Sequence, residues 1–135
     1  MAKETTAYLI TNVLFNVTPY ASTVRGTQVA TKTGTSSYDE SRLRQEGISL
    51  DAIQDSWEVT YNPDYTIAFW NAYDELDKEY YYKMYQSTNH RNKIQSIVTK
   101  KIFNTGSKFT IPKGLVQRKV ELETIPARLA SEYTP

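Results

Sequence analysis

The stretch from Asn62 to Tyr85, NPDYTIAFWNAYDELDKEYYYKMY, limits the folds open to this chain more than any other segment. Eight of its twenty-four residues are Phe, Trp or Tyr, and rings of this size are usually buried by packing or by a partner. Asn62 before Pro63 is typical of a helix start, because the amide caps exposed N–H groups and proline fits the first helical position. We therefore predict one long aromatic-rich helix over about 63–86, whose core-facing stripe at helical spacing is Tyr65, Phe69, Tyr73, Leu76, Tyr80 and Met84.

The composition favours one folded domain over residues 1–135. A chain of 135 residues can bury a core without crosslinks. With 2 Trp, 11 Tyr and 4 Phe it is also too rich in large rings for a disordered protein. No cysteine is present, which excludes disulfides, thiolate nucleophiles and cysteine metal sites.

The first half of the chain predicts short elements around a polar loop. Tyr8–Val17 is rich in β-branched residues and predicts a strand, although the same residues also fit helical spacing. Ala21–Tyr38 has no apolar periodicity and predicts a flexible loop or arm, assigned to about 21–40. Its Thr-Lys-Thr-Gly stretch does not match a phosphate-binding loop, because the lysine precedes the glycine.

A short helix is predicted over Leu50–Ser56, with Ser49 as its cap. A short strand follows this helix in the prediction. It places Trp57, Val59 and Tyr61 on one face.

The second half predicts another helix and a hairpin. Apolar residues recur at helical spacing from Asn89, so a second helix should end before Asn104, although the β-branched run SIVTKKIF over 96–103 leaves a strand as the alternative. The turn Pro112-Lys113-Gly114 should join two strands, and a tail begins at about 127. The fold class predicted is α+β, with both helices packed on a small, mostly antiparallel sheet. The expected core is Val13, Phe15, Tyr65, Phe69, Tyr73, Leu76, Tyr80, Ile94, Ile97, Val98, Ile102, Val120 and Leu122.

Charge is strongly segregated along the chain. Residues 1–82 carry 6 basic and 12 acidic side chains, residues 83–120 carry 9 basic and none acidic, and residues 121–135 carry 1 basic and 3 acidic. The two halves could neutralise each other inside one molecule. They could also join the acidic face of one copy to the basic face of the next.

The assembly interpretation uses the most features at once. It predicts a non-enzymatic structural subunit that forms a homo-oligomer or docks on a larger protein complex, such as a virion or tail-like particle. The rings left beside the core stripe would form the contact together with nearby carboxylates and two lysines. The predicted interface residues are Trp70, Asp74, Asp77, Tyr81, Tyr85, Lys100 and Lys101.

Single-stranded nucleic acid is the alternative partner. Basic side chains would contact phosphates and the tyrosines of the aromatic helix would stack on bases. The net charge of +1 and a pI of about 7.8 count against this alternative. The residues predicted for it are Arg91, Lys93, Lys100, Lys101, Lys108, Lys113, Arg118 and Lys119.

No catalytic motif is identified. Asp74, Glu75, Asp77 and Glu79 do not share one helical face, and the single histidine, His90, lies outside the helix pattern. We therefore expect no enzymatic activity, no metal and no cofactor. The N-terminus does not match a signal peptide or a membrane span, so the expectation is a soluble protein made in the cytoplasm, with a viral particle as a further destination and no membrane partner.

Overall fold

The computed structural model describes residues 2–17, 26–121 and 123–132, without the side chain of Val17. Within these ranges lie three helices and a four-stranded antiparallel sheet, so the α+β class is confirmed. That all of 1–135 forms one domain stays a prediction. The elements in chain order are α1 (Glu4–Val17), β1 (Ala30–Ser37), α2 (Glu40–Glu46), β2 (Ala52–Tyr61), β3 (Thr66–Asn71), β4 (Tyr82–Lys83) and α3 (Met84–Ile102).

Strand β2 is the centre of the sheet. It pairs with β1 on one side and with β3 on the other, while β4 pairs with its first residues. Residues opposite each other in an antiparallel pair share a face, so the register defines alternating rows across the sheet. One face holds the rows Gly34–Trp57–Trp70 and Lys32–Val59–Ala68, and the opposite face holds Thr33–Glu58–Phe69 and Thr31–Thr60–Ile67.

The predicted long helix over 63–86 is wrong. The segment forms β3, then a stretch without helix or strand from 72 to 81, and then β4, while α3 begins only at Met84. Residues four apart share a face of a helix, but they also share a face of a strand, whose repeat is two. Tyr65, Phe69 and Tyr73 therefore fit both patterns, and the half-buried Ile67 between them fits only the strand.

Asn62 and Pro63 form the turn between β2 and β3. The Asn62 side-chain oxygen accepts from the backbone N–H of Asp64 at 3.0 Å and of Tyr65 at 2.7 Å. The Asn62 N–H donates to the Tyr65 carbonyl at 2.9 Å. The amide thus binds the same orphan N–H groups that it would cap in a helix, and proline suits the second position of this turn.

The strand predicted for Tyr8–Val17 is wrong, and its helical alternative is the one observed as α1. Thr11 and Phe15 lie one turn apart on the face that contacts the sheet. The Thr11 hydroxyl hydrogen bonds to that of Tyr61 at 2.9 Å, and Phe15 packs on the buried pair Val29 and Phe103.

Two further predictions are corrected near the centre of the chain. The loop over Ala21–Tyr38 is wrong from Ala30 onward, where β1 forms, and residues 18–25 lie outside the described ranges. The helix over Leu50–Ser56 is wrong, because β2 already begins at Ala52. The strand placing Trp57, Val59 and Tyr61 on one face is confirmed.

The second helix is confirmed as α3, but the C-terminal hairpin is not. The Leu115 N–H meets the Pro112 carbonyl at 3.4 Å, which makes a turn, yet no strand forms on either side of it among the described residues. A single bridge joins Val120 to Leu129, so the predicted tail contacts the preceding segment.

Little of the predicted core is buried. Two small clusters form instead, Val29 with Phe103 and Leu43 with Ile48 and Ala52. Phe15, Phe69, Leu76 and Val98 are half-buried, and Leu122 lies outside the described residues. The predicted core residues that are 40–59% exposed are Val13, Tyr65, Tyr73, Tyr80, Ile94, Ile97, Ile102 and Val120.

Candidate functional site

One face of the sheet is open. Trp57, Val59 and Trp70 are 46%, 36% and 44% exposed on it, and Lys32 is exposed in the row beside Val59. The two indole rings lie 6.0 Å apart between centroids, tilted by 38°. An exposed apolar surface bordered by a cation is typical of a contact or ligand site.

Gly34 leaves the backbone of β1 accessible over this face. It lies opposite Trp57, and a Cβ built on it would be 3.8 Å from the Trp57 Cβ, which is an ordinary contact. Its backbone angles do not require glycine, since its φ is not positive. A glycine that the strand geometry does not need marks a place where another backbone or a ligand can approach closely.

Strand β1 is also an edge strand within the described residues, because its only partner is β2. An edge strand presents unpaired N–H and C=O groups to which an extended peptide can bind. Lys32 projects from this strand, and its Nζ donates to the backbone oxygen of Thr33. Lys32 and Gly34 therefore lie together on a strand that pairs, among the described strands, with β2 alone.

Asp55 connects the open face to a neighbouring cavity. One of its oxygens accepts from the Trp70 indole N–H at 2.9 Å, and the other accepts from the Ser36 hydroxyl at 2.9 Å. The carboxylate is thereby held between β1 and β3. It lines a cavity of about 480 Å³ at the end of the sheet, within the usual range for ligand pockets.

The opposite face is closed by α3 through polar contacts. Arg91 lies 3.2 Å from a Glu58 carboxylate oxygen, and their side chains are only 8% and 2% exposed. Arg91 also donates to the Ser56 hydroxyl at 2.8 Å, and Gln95 donates to that of Thr60 at 3.4 Å. Among the described residues, these contacts join α3 to this face of the sheet.

Glu58 is a buried acid surrounded mainly by polar side chains. Burial raises the pKa of its carboxyl, while the Thr60 hydroxyl and the Arg91 charge pull that pKa down. The Thr60 hydroxyl donates to the second Glu58 oxygen at 3.2 Å. The ion pair between Glu58 and Arg91 thus joins β2 to α3.

The residues predicted as an assembly interface do not lie on one helix. Trp70 is in β3, Asp74 and Asp77 follow it in the 72–81 segment, and Tyr81 packs on the Leu43 cluster. Tyr85 begins α3, whereas Lys100 and Lys101 are exposed in its last turn. The prediction that these rings and carboxylates share one helical face is therefore wrong.

The residues predicted for nucleic acid are also dispersed. Arg91 is buried in its ion pair and is not available to phosphates. Lys93, Lys100 and Lys101 lie on α3, and the remaining four lie beyond its end without strand structure. Those four are Lys108, Lys113, Arg118 and Lys119.

In the ranges that the structure describes, no three His, Asp or Glu side chains are grouped to hold a metal ion. Among the same residues, no helix combines the length and apolar character needed to cross a membrane.

Known proteins give a specific comparison. No family model matches the sequence. Penicillin-binding protein 1A/1B of Bacillus subtilis (strain 168) is 29% identical over 134 residues, which cover 96% of this chain and 15% of that protein. Penicillin-binding protein 1F of the same organism is 29% identical over 133 residues, covering 96% of this chain and 17% of the relative. The chain thus spans about a sixth of the length of these relatives.

These relatives overturn the predicted function. Both are bacterial proteins named for binding penicillin, not virion subunits or nucleic-acid-binding proteins. The predictions of a structural subunit, of a nucleic-acid-binding protein as the alternative, of no enzymatic role, and of a cytoplasmic or viral-particle location are therefore wrong. The charge pattern misled because nine basic residues close in sequence are spread over β4, α3 and the irregular segment that follows α3.

The names of these relatives direct attention to a motif that the sequence analysis missed. Penicillin-binding proteins and class A β-lactamases share a Lys-Thr-Gly motif alongside a Ser-x-x-Lys motif. Lys32, Thr33 and Gly34 match the first, on the open edge of β1, while Ser-x-x-Lys occurs nowhere in the 135 residues. The tripeptide was tested only as a phosphate-binding loop, in a segment that the sequence analysis assigned to a loop or arm. These comparisons, with the geometry of β1, identify a chain similar over nearly its whole length to part of two penicillin-binding proteins.

Proposed function

We propose that this chain forms one wall of a penicillin-binding, serine-dependent acyl-transfer site, and that Lys32, Thr33 and Gly34 are its contribution. The observation that carries the proposal is their position: the motif lies on an exposed edge strand, with the lysine on the open face of the sheet. The similarity to the two penicillin-binding proteins supports the same assignment.

Lys32 supplies positive charge where an acyl-transfer site needs it. Penicillin carries a carboxylate, and attack on its carbonyl develops negative charge on oxygen. An ammonium group placed beforehand stabilises both charges more than water can at a site from which water is excluded. Lys32 is exposed, and among the described residues no carboxylate lies within ion-pair distance of it, so its charge is available to a ligand.

Gly34 and the edge of β1 position the acyl donor. A ligand with an amide backbone can hydrogen bond to the free edge as an added strand. Without a side chain at Gly34, that ligand can approach the backbone directly above Trp57. The Trp57 and Trp70 rings then form the apolar floor beneath it.

The nucleophile in this proposal is not one of these 135 residues. The Ser-x-x-Lys pair that accompanies Lys-Thr-Gly in this class of enzymes is absent from the sequence. The serine is then supplied by another part of a longer polypeptide or by a second chain, which would cover the open face that carries Lys32. The natural acyl donor would be a peptide of the bacterial cell wall, the polymer whose synthesis penicillin blocks.

Covalent labelling with a fluorescent penicillin tests the proposal. An affinity tag is placed on the protein in the cells that produce it, so that the chain is recovered with any polypeptide that continues or accompanies it. We expect the tagged protein, or a protein that copurifies with it, to carry the label. Substitution Lys32→Ala should reduce labelling at least about tenfold, the loss expected when one charged contact to the transition state is removed.

The matched control is Lys100→Ala. Lys100 is also exposed but lies in the last turn of α3, on the helix that covers the other face of the sheet. Its labelling should equal that of the unmodified protein. The proposal fails if the tagged protein and its copurifying proteins remain unlabelled, or if both lysine variants lose the label equally.

A further inference from the structure

The cavity beside Asp55 adjoins the Lys32–Gly34 edge and shares Trp70 with it, but Lys32, Thr33 and Gly34 are not among its lining residues. It has a volume of about 480 Å³, enough for a small organic ligand. Three of its lining residues are aromatic: Tyr38, which follows β1, Trp70 in β3, and Tyr73, which follows β3. Tyr73 is held in place by Tyr82, whose ring stacks on it with centroids 4.9 Å apart.

The cavity is negatively charged. Three carboxylates line it, Asp55, Asp74 and Glu75, against one cation, Arg42, so the formal charge of the lining is −2. Arg42 is already engaged, since its Nε donates to Glu46 at 2.9 Å. Aromatic faces combined with carboxylates form the arrangement in which proteins hold organic cations.

The protein's own side chains show that a cation is accommodated here. The Arg42 guanidinium carbon lies 5.9 Å from the centroid of the Tyr38 ring, within the range of a cation–π contact. The Asp55 charge also acts on this wall: burial raises the pKa of the Tyr38 hydroxyl, Arg42 lowers it, and Asp55 raises it again. The charges of Arg42 and Asp55 therefore both act on the Tyr38 ring.

Asp55 is the most precisely held of the three carboxylates. Hydrogen bonds from Trp70 and Ser36, both 2.9 Å, fix the orientation of its two oxygens. Each carboxylate oxygen can accept a further bond. Asp55 therefore has acceptor capacity left for a ligand, directly beside the Trp70 ring.

We infer that this cavity binds an organic ammonium ion, a nitrogen cation with methyl or methylene groups that contact Trp70 and Tyr73 while Asp55 neutralises its charge. The rings favour the alkyl groups, and the lining charge favours a cation over a neutral or anionic ligand. The inference goes beyond the proposed function, because it needs neither the lysine motif nor a nucleophile.

Titration with choline tests the inference, with tryptophan fluorescence as the readout, since Trp57 and Trp70 are the two tryptophans of the chain. The neutral isostere 3,3-dimethyl-1-butanol and potassium chloride at equal ionic strength are measured alongside. We expect a saturable change with choline and none with the other two. Equal responses to choline and the neutral alcohol, or no saturable response to choline, overturn the inference.

Variants locate the site. Asp55→Asn should weaken choline binding about tenfold, the effect of losing roughly 1.4 kcal/mol. Tyr73→Leu should weaken it as well. Asp55 also hydrogen bonds to residues of β1 and β3, so its replacement could disturb the sheet. Asp74 is exposed in the 72–81 segment and provides a second variant. Asp74→Asn should weaken choline binding measurably. Glu79 lies in the same segment but outside the cavity lining, so Glu79→Gln should leave the choline affinity unchanged. If Glu79→Gln weakened choline binding as much as Asp74→Asn, the site would not be localised to this cavity.

Discussion

The substitution Arg91→Met tests how the sheet and α3 are held together. Arg91 lies 3.2 Å from a Glu58 oxygen in a buried ion pair. At an effective dielectric constant of about 20, that distance corresponds to an attraction of about 5 kcal/mol. Removing one partner of a buried pair costs about 3–5 kcal/mol in other proteins, because it leaves an uncompensated charge. We therefore expect Arg91→Met to lower the free energy of unfolding by about 3–5 kcal/mol near pH 8.

The effect should depend on pH in a defined direction. Burial already raises the pKa of the Glu58 carboxyl, and loss of Arg91 removes one of the two influences that lower it. A group whose pKa is raised on folding stabilises the fold below its unfolded pKa, and that contribution is lost as pH rises through the folded value. The deficit of Arg91→Met relative to the unmodified protein should thus be smallest near pH 4 and grow toward pH 8, by at most about 1.4 kcal/mol per pH unit.

Urea unfolding followed by tryptophan fluorescence measures these differences. The double variant Glu58→Leu/Arg91→Met removes both charges and should recover most of the loss, since hydrophobic replacement of a buried pair is often neutral or stabilising. Arg44→Met is the matched control. Arg44 pairs with Glu40 at 3.6 Å on the surface, with its side chain 66% exposed, so the change should be under about 0.5 kcal/mol. A deficit below about 1 kcal/mol at pH 8 for Arg91→Met, or one that grows toward low pH, would refute the reasoning.

Three further predictions concern local structure. Gly47→Ala should lower the free energy of unfolding by about 1 kcal/mol in urea titrations, because Gly47 ends α2 with a φ of 65°, where a side chain is strained. An unchanged free energy of unfolding would contradict this prediction. Gly34→Ala should change stability by less than about 1 kcal/mol in the same assay, since its φ is not positive and its added Cβ meets only an ordinary contact, yet it should reduce penicillin labelling of the tagged protein. Asp39→Asn should lower the thermal midpoint at pH 7 more than at pH 3, because hydrogen bonds from Ser41 and the Arg42 N–H hold the pKa of the Asp39 carboxyl below its usual value. A group with a lowered pKa stabilises the fold above its unfolded pKa and loses that contribution as pH falls through the folded value. An equal effect at both pH values would count against this prediction.

Two patterns of apolar residues in the sequence predicted the type of element that forms, one helix and one strand. Ile94, Ile97 and Ile102 repeat at helical spacing, and α3 forms there. Trp57, Val59 and Tyr61 alternate as a strand requires, and they lie on one face of β2. In both cases the local preference agreed with the fold, and so the α+β class was also predicted.

Only the tertiary structure decided which side of each element is buried. Ile94, Ile97 and Ile102 of α3 are exposed. The buried residues of this helix are Ser87, Arg91, Gln95 and Thr99, because the face of β2 that they meet is polar. A buried arginine at such a position is stable only with a carboxylate from a distant strand beside it, which no local pattern contains.

The candidate site had the same dependence on tertiary structure. Lys32 and Gly34 are polar or small residues in a segment without apolar periodicity, so the sequence alone indicated a loop. Pairing with β2 makes them a strand, and its register places Gly34 opposite Trp57, which is itself opposite Trp70. The sequence determined which residues could serve as strand, turn and cation; the long-range pairing determined that they meet on one open face, because hydrogen bonding between strands joins residues that no local periodicity relates.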